Sequence, residues 1–309
     1  MPEIARPDNV IFLAGSGRSG TTWLANLLNH RHDFSYYFEP LNHHQVKGIE
    51  PFGWRQYLRA DGNYPEHRTV ADNFLYGSVD NEWVNRFNDA PQSNKRVVKE
   101  IRANMTLAWM RKQFPDVKII LTLRHPIAVT VSRMEMNWKR GVDLLLGQPE
   151  LNEDFLEPIL PLLEREEMHA YESALLLWCV ENFVALKQIR ELDIHVLFYE
   201  HLALHPEEEL RRLFTFLDQP FDEHILDGID IPSHTSGKVD PARTVEARLE
   251  KWRKKLPTDI VANSIRLLQL FSFDQIYDDN ATPRLDSADI LSNQPPLPGE
   301  LAELLGENQ

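Results

Sequence analysis

Apolar positions along the chain follow two periods in turn. NVIFLAG (9–15) is a short β-branched and aromatic run closed by glycine, and TTWLANLLNH (21–30) then shifts to helical spacing through Trp23, Leu24, Leu27 and Leu28. The pattern predicts a strand, a glycine-rich turn and a helix. FSYYFEP (34–40) reads as a second strand stopped by Pro40, KRVVKEI (95–101) as a third, VKIILTLRHP (117–126) as a buried strand with a nearly unbroken apolar run, and DIHVLFYE (193–200) as another. Helical spacing lies between them, over 103–114, 126–138, 169–191 and 206–217. Strands alternating with helices predict an α/β fold in a single domain spanning 1–309, with a core over about 9–275 and a tail over 276–309. A central parallel sheet would carry helices on both faces and bind ligands at the carboxyl ends of its strands.

Two stretches break the alternation. Residues 42–94 are rich in Asn, Gly, Pro and aromatics, and 140–168 carry LEREE and several prolines. Long insertions of this kind in a compact domain are usually functional or disordered, and both leave the sheet on its expected ligand side. The last stretch, SNQPPLPGELAELLGENQ, is proline-rich and then weakly helical, the pattern of a docked or frayed tail. There is no internal repeat.

Charge narrows the ligand. The 309 residues hold 33 Lys and Arg against 47 Asp and Glu, a net charge of −14, so the global field repels nucleic acid and anionic membranes. An anionic ligand requires a local cluster of cations, which favours a small nucleotide over a polymer. The one cysteine, Cys179, excludes an intrachain disulfide and a cysteine-rich metal site, and its setting in ALLLWCVENF marks it as core filling. No apolar run approaches the roughly 20 residues of a membrane span, and the N-terminus lacks a signal-peptide pattern, so a cytoplasmic setting is expected.

The chemistry concentrates in AGSGRSGTTWL (14–24). Gly15, Gly17 and Gly20 satisfy G-x-G-x-x-G between a strand and a helix, and Glu39, nineteen residues on, ends a second strand where an acid holds a ribose in nicotinamide-dependent oxidoreductases. The two hydroxyls Thr21 and Thr22 and the guanidinium of Arg18, however, suit terminal anionic oxygens better than a mid-chain pyrophosphate. As a nucleoside-triphosphate loop the segment lacks its lysine, since Thr21 stands in that position, so it is poorly equipped for a γ-phosphate.

SGRSGTTWL resembles the 5′-phosphosulfate loop of sulfotransferases that use 3′-phosphoadenosine 5′-phosphosulfate (PAPS), and LRHPIAVTVSR resembles their 3′-phosphate motif. VLFYEHLALHPEEELRRLFTFL (196–217) is similar to the family's next strand-to-helix segment. The resemblance runs in order from about residue 10 to about 217 and implies a P-loop-like sheet. It further implies that Gly17, Arg18, Ser19, Gly20, Thr21 and Thr22 hold the phosphosulfate, that Arg124 and Ser132 grip the 3′-phosphate, and that Trp23 and Tyr199 lie beside the adenine. The bottom-up reading agrees: PAPS is anionic at both ends, and the loop and the Arg124/Ser132 pair supply two separate anion grips. The resemblance implies sulfuryl transfer to a small-molecule or carbohydrate hydroxyl, with adenosine 3′,5′-bisphosphate as product, no metal required, and Arg18 among the donors to the bridging oxygen.

The general base is the point of departure within the family. Cytosolic members have a Lys-x-His step, and here Ile101 stands in place of that His. FEP (38–40) resembles instead the Phe-Glu-Pro segment of the carbohydrate-type and bacterial branch, which makes Glu39 the base, with a pKa expected to be raised among Tyr36, Tyr37 and Phe38. His43 and His44 are the rival bases. Lys99 and Arg102 either steady the sulfuryl group or the loop, or form an ordinary ion-pair network with Glu100. A late basic segment with Lys238 and Arg243 is a further candidate for the 3′-phosphate, and the cations of RLEKWRKKLP (248–257) read as a solvated helix face. The 42–94 and 140–168 insertions are expected to wall the acceptor site. A nicotinamide oxidoreductase and a nucleotide-binding module without turnover remain the alternatives.

Overall fold

The computed structural model describes residues 7, 9–138, 141–235, 244–287 and 289–291. Five strands form one sheet, β1 (Asn9–Gly15), β2 (Ser35–Phe38), β3 (Lys95–Glu100), β4 (Lys118–Leu123) and β5 (His195–Phe198). They lie in the order β2-β3-β1-β4-β5, and every pairing is parallel. The strands fall where the apolar runs predict them, each trimmed by no more than three residues at an end.

Successive side chains of a strand point to opposite faces, and the core divides accordingly. Val10, Phe12 and Ala14 of β1 pack on one side with Val98, Leu121 and Phe198. Ile11 and Leu13 pack on the other with Val97, Ile120 and Leu197. The first face is covered by the helix Ala170–Ile189, which is apolar nearly all round, together with the helices Leu107–Gln113 and Pro65–Tyr76. The second is covered by the helices Thr21–Leu28 and Pro206–Phe216. Both faces are therefore buried, as an all-parallel sheet requires.

The insertions are more ordered than their composition suggests. Pro65–Tyr76 is a helix whose Ala71, Phe74 and Leu75 enter the core, and residues 142–163 form a series of short helical turns that bury Leu145, Leu151, Leu156, Ile159 and Leu163. Tyr277 and Ile290 are fully buried, so the first part of the tail also packs into the domain, whereas 292–309 lie outside the described residues. No helix among the described residues is long and apolar enough to cross a membrane.

The register aligns the strand ends. Phe38 pairs with Lys99, Ala14 with Glu100, Gly15 with Thr122, and Leu123 with Phe198. Glu39, Lys99, the loop after Gly15, Arg124 and Tyr199 thus all leave the same edge of the sheet. Order reverses at the central β1, the switch point where open parallel sheets bind ligands.

Candidate active site

A cleft of about 910 Å³ opens along that edge. Arg18, Arg55, Arg86, Lys99, Arg102, Arg124, Arg133 and Arg248 line it, against the acids Glu39 and Asp230, so a chain of net charge −14 concentrates positive charge here. Of the residues that the sequence points to, Gly17, Arg18, Gly20, Thr21, Thr22, Trp23, Glu39, Arg124 and Tyr199 line the cleft. Ser19, within the loop, is fully buried, and Ser132 is reached through Arg18, whose Nε donates to Ser132 Oγ at 3.0 Å.

The loop is shaped for an anion. Gly20 has φ +86° and stands at the start of the helix Thr21–Leu28, which has no side-chain cap and no acid in its first turn. Its first N–H groups and the positive end of its dipole are left for a ligand. A Cβ on Gly20 would lie 2.3 Å from the Tyr199 ring, so glycine is needed for the conformation and for the close approach of that ring. Gly17 is similarly crowded, with the Trp138 indole 2.7 Å from where its Cβ would be and Ile101 on the other side at 3.1 Å. Ser19 Oγ is buried without a hydrogen-bond partner.

Arg18 and Arg124 form a second cationic group. Arg18 Nη1 donates to the Thr235 carbonyl at 2.8 Å, Arg124 Nη1 donates to the Arg18 carbonyl at 2.9 Å, and Arg124 stacks 4.2 Å over the Tyr199 ring. Burial and the neighbouring Arg124 charge lower the Arg18 pKa. Arg124 Nε is buried with no partner, a donor free for an anion. Trp23 meets Tyr199 edge-on at 5.5 Å and donates its indole N–H to the Ile229 carbonyl at 3.2 Å. Arg18 thus points toward Ser132, so the expected two grips share this side chain.

Glu39 sits beyond β2 with φ +48°, its N–H bonded to the Lys99 carbonyl at 2.7 Å. The expected upward shift of its pKa is not found. Burial does push the carboxyl up, but Lys99 Nζ at 2.5 Å from Oε1 and Arg102 Nη1 at 3.0 Å from Oε2 outweigh it, and Glu39 is held below the usual carboxylate range. The aromatic neighbours are real, since Lys99 lies 4.4 Å over the Phe38 ring. Arg102 also binds Glu100 Oε1 at 3.0 Å. Lys99 and Arg102 thus form an ion-pair network, with Glu39 at its centre.

His44 lines the cleft 5.3 Å from the Trp54 ring, and His43 stacks on the same indole at 5.6 Å. From the 42–94 segment Asn42, Gln45, Trp54, Arg55, Trp83 and Arg86 reach the cleft, whereas from 141–168 only Leu144 does. The basic segment 248–257 is not wholly a solvated face: Arg248 lines the cleft and Trp252 is buried, stacked on His125 at 4.8 Å. Lys238 and Arg243 lie outside the described residues. The described residues contain no group of three or more His, Cys, Asp or Glu able to hold a metal ion.

Sequence reasoning missed Arg55, Arg133 and Glu181. Arg133 Nε donates to the Gly17 carbonyl at 3.2 Å, and Glu181 joins both arginines to Ser16. The signal was present: Glu181 and Asn182 are a polar pair inside the otherwise apolar stretch 174–186 of its helix.

A parallel α/β sheet whose strand ends surround an uncapped, cation-flanked helix N-terminus defines a protein built to bind an anionic ligand. Residues 10–223 match the model of the Sulfotransferase family, and the chain belongs to that family. It is 26% identical over 271 residues to nodulation protein NoeE of Sinorhizobium fredii, covering 80% of this chain and 60% of that one. It is 34% identical over 106 residues to protein-tyrosine sulfotransferase A of Caenorhabditis elegans, covering 31% of this chain and 27% of that one. The chain therefore spans less than two thirds of the length of these relatives. Among solved structures, the sulfotransferase domain from the curacin biosynthetic pathway is similar at 20% identity and a TM-score of 0.48, covering 87% of this chain and 99% of that one.

Proposed function

We propose that the protein transfers a sulfuryl group from PAPS to a hydroxyl acceptor, with Glu39 as general base. The observation that carries this reading is the meeting, on one cleft, of the open helix N-terminus at Gly20 with the Arg18/Arg124 pair. The buried, unpartnered Ser19 Oγ and Arg124 Nε fit a ligand with anions at both ends. Residues 17–22 would hold the phosphosulfate, Arg124 and Ser132 the 3′-phosphate, and Trp23 and Tyr199 the adenine. The bound donor supplies an activated sulfuryl group.

The chain's own residues do the rest. Backbone N–H groups of the loop and the Thr21 and Thr22 hydroxyls donate hydrogen bonds to anionic oxygens and stabilise charge that grows during transfer. Lys99 and Arg102 fix the Glu39 carboxylate and keep it ionised, which is the form a base needs; the depressed pKa lowers its proton affinity in exchange. Glu39 Oε accepts the proton of the acceptor hydroxyl. The acceptor is a small molecule or a carbohydrate that enters past Trp54, Ile101 and Trp138.

A nicotinamide oxidoreductase would use Glu39 on a ribose and leave Arg124, whose Nε is buried without a partner, and Ser132 without a task. The test is a thermal-shift titration with adenosine 3′,5′-bisphosphate, adenosine 5′-phosphate and NADH, followed by transfer of labelled sulfate from PAPS to a panel of alcohols and sugars. Stabilisation by the bisphosphate above the other two, and label on an acceptor, is the expected result. Equal shifts with the first two ligands would overturn the 3′-phosphate grip. Binding without any transfer would leave a nucleotide-binding module.

A further inference from the structure

Glu181 is 1% exposed, lies on the helix Ala170–Ile189, and does not line the cleft. Its Oε1 accepts from Ser16 Oγ at 2.5 Å and from Arg133 Nη2 at 2.9 Å, and its Oε2 accepts from Arg55 Nη1. Each partner leads elsewhere. Arg133 Nε holds the Gly17 carbonyl at 3.2 Å, and Arg55 Nη1 holds the Ile101 carbonyl at 3.2 Å. Asn182 donates to the same Ser16 hydroxyl at 3.0 Å and is itself bonded by Asn104 at 3.0 Å. One carboxylate therefore ties the first two residues of the loop to the end of β3, where Arg102 begins the clamp on Glu39, and to the 42–94 segment.

Stability alone does not account for this node. Burying two guanidiniums with one carboxylate carries a desolvation cost that often equals or exceeds the Coulombic gain, and well-packed apolar side chains would serve the core as well. What the charges add is direction. Each arginine gives one charge-assisted hydrogen bond to a different oxygen of Glu181, and such directional bonds fix positions that apolar contacts leave loose. The backbone groups it fixes, the Gly17 and Ile101 carbonyls, flank the space between the loop and the acceptor wall, where Trp138 and Ile101 meet Gly17.

We propose that Glu181 is a positioning residue that sets the Ser16–Gly17 start of the loop against Ile101 and Arg55, so that the donor loop and the acceptor wall are held as one unit. The proposal rests on the sulfotransferase reading for the meaning of the two walls. Its physical content, the coupling of Arg55 to the loop through Glu181, is measurable without turnover.

Two single variants and their combination test it, in the full chain, with circular dichroism as the check on folding. Glu181→Gln keeps the shape and removes the charge; Arg55→Met removes one spoke and keeps the bulk. Amide hydrogen exchange at residues 16–20 of the free protein should accelerate about tenfold in each, and the dissociation constant of adenosine 3′,5′-bisphosphate should rise about five- to tenfold, with the double variant no worse than Glu181→Gln alone. Melting temperatures that fall while loop exchange and nucleotide affinity stay within about twofold of wild type would reduce Glu181 to a structural node and overturn the proposal. Additive effects in the double variant would also overturn it, because Arg55 would then act on the loop by another route. If Glu181→Gln does not fold, Arg55→Met decides the matter by the same two readouts. Accelerated loop exchange in a protein whose wild type binds no nucleotide would uphold the positioning role and reject the donor assignment.

Discussion

Lys99 Nζ lies 2.5 Å from Glu39 Oε1, and the two residues stand at the ends of adjacent strands, 60 positions apart in the chain. The pairing follows from register: Phe38 faces Lys99 across β2 and β3, so the residue after Phe38 meets the lysine side chain. A carboxylate held in this way is ionised and oriented, and its proton affinity is lowered.

Lys99→Met should separate those effects. Without the ammonium, the burial of Glu39 is less opposed and its pKa rises, so the acid limb of kcat/KM should move to higher pH while turnover falls. An acid limb that stays in place would mean that Glu39 is not the group titrating in the rate.

Arg124→Ala should weaken adenosine 3′,5′-bisphosphate by about 1.5–3 kcal/mol, roughly ten- to a hundredfold in Kd, and adenosine 5′-phosphate much less. Calorimetric titration of both ligands reads the difference. Equal losses for the two would remove Arg124 from the 3′ end.

Gly20→Ala should damage the loop itself. A non-glycine residue at φ +86° costs on the order of 1–3 kcal/mol, and its Cβ must also displace the Tyr199 ring 2.3 Å away. The melting temperature and the nucleotide affinity should both fall. Wild-type values for both would mean that Tyr199 and the loop are not packed as described.

Glu200 gives a pH signature independent of catalysis. Burial pushes this fully buried carboxyl up to about 7, although it accepts the His125 N–H at 2.8 Å. A folded pKa above the unfolded one stabilises the fold below the unfolded value of about 4.5, and that contribution is lost as pH rises through about 7. Glu200→Gln should therefore gain about 2–3 kcal/mol relative to wild type on going from pH 5 to pH 8, as read by denaturant unfolding at each pH. A difference between the two proteins that is flat across this range would contradict a raised pKa.

The sheet was legible because its strands are apolar runs bounded by Gly, Pro and charge, and the loop because Gly15, Gly17 and Gly20 punctuate a switch from strand to helix spacing. The electrostatic state of Glu39 was not. Its neighbours in sequence are aromatic, which predicted a raised pKa, whereas the cations that decide it come from 60 and 63 residues away and arrive only once β3 pairs with β2. The Arg55–Glu181–Arg133 node was hidden for the same reason, with partners separated by 126 and 48 positions. The 42–94 composition suggested an irregular wall, and Pro65–Tyr76 is a helix because Ala71, Phe74 and Leu75 find the core. Local propensity there was overridden by tertiary burial.

Glu39→Gln tests the central claim most directly, since it preserves the side chain's shape and removes its capacity to take a proton. Transfer of labelled sulfate from PAPS should drop by roughly 10²–10⁴, while the Kd of adenosine 3′,5′-bisphosphate holds, and the loss should shrink for acceptors already ionised at the assay pH. Near-normal transfer by the variant, with donor binding unchanged, would contradict Glu39 as the base and direct the search to His43 and His44.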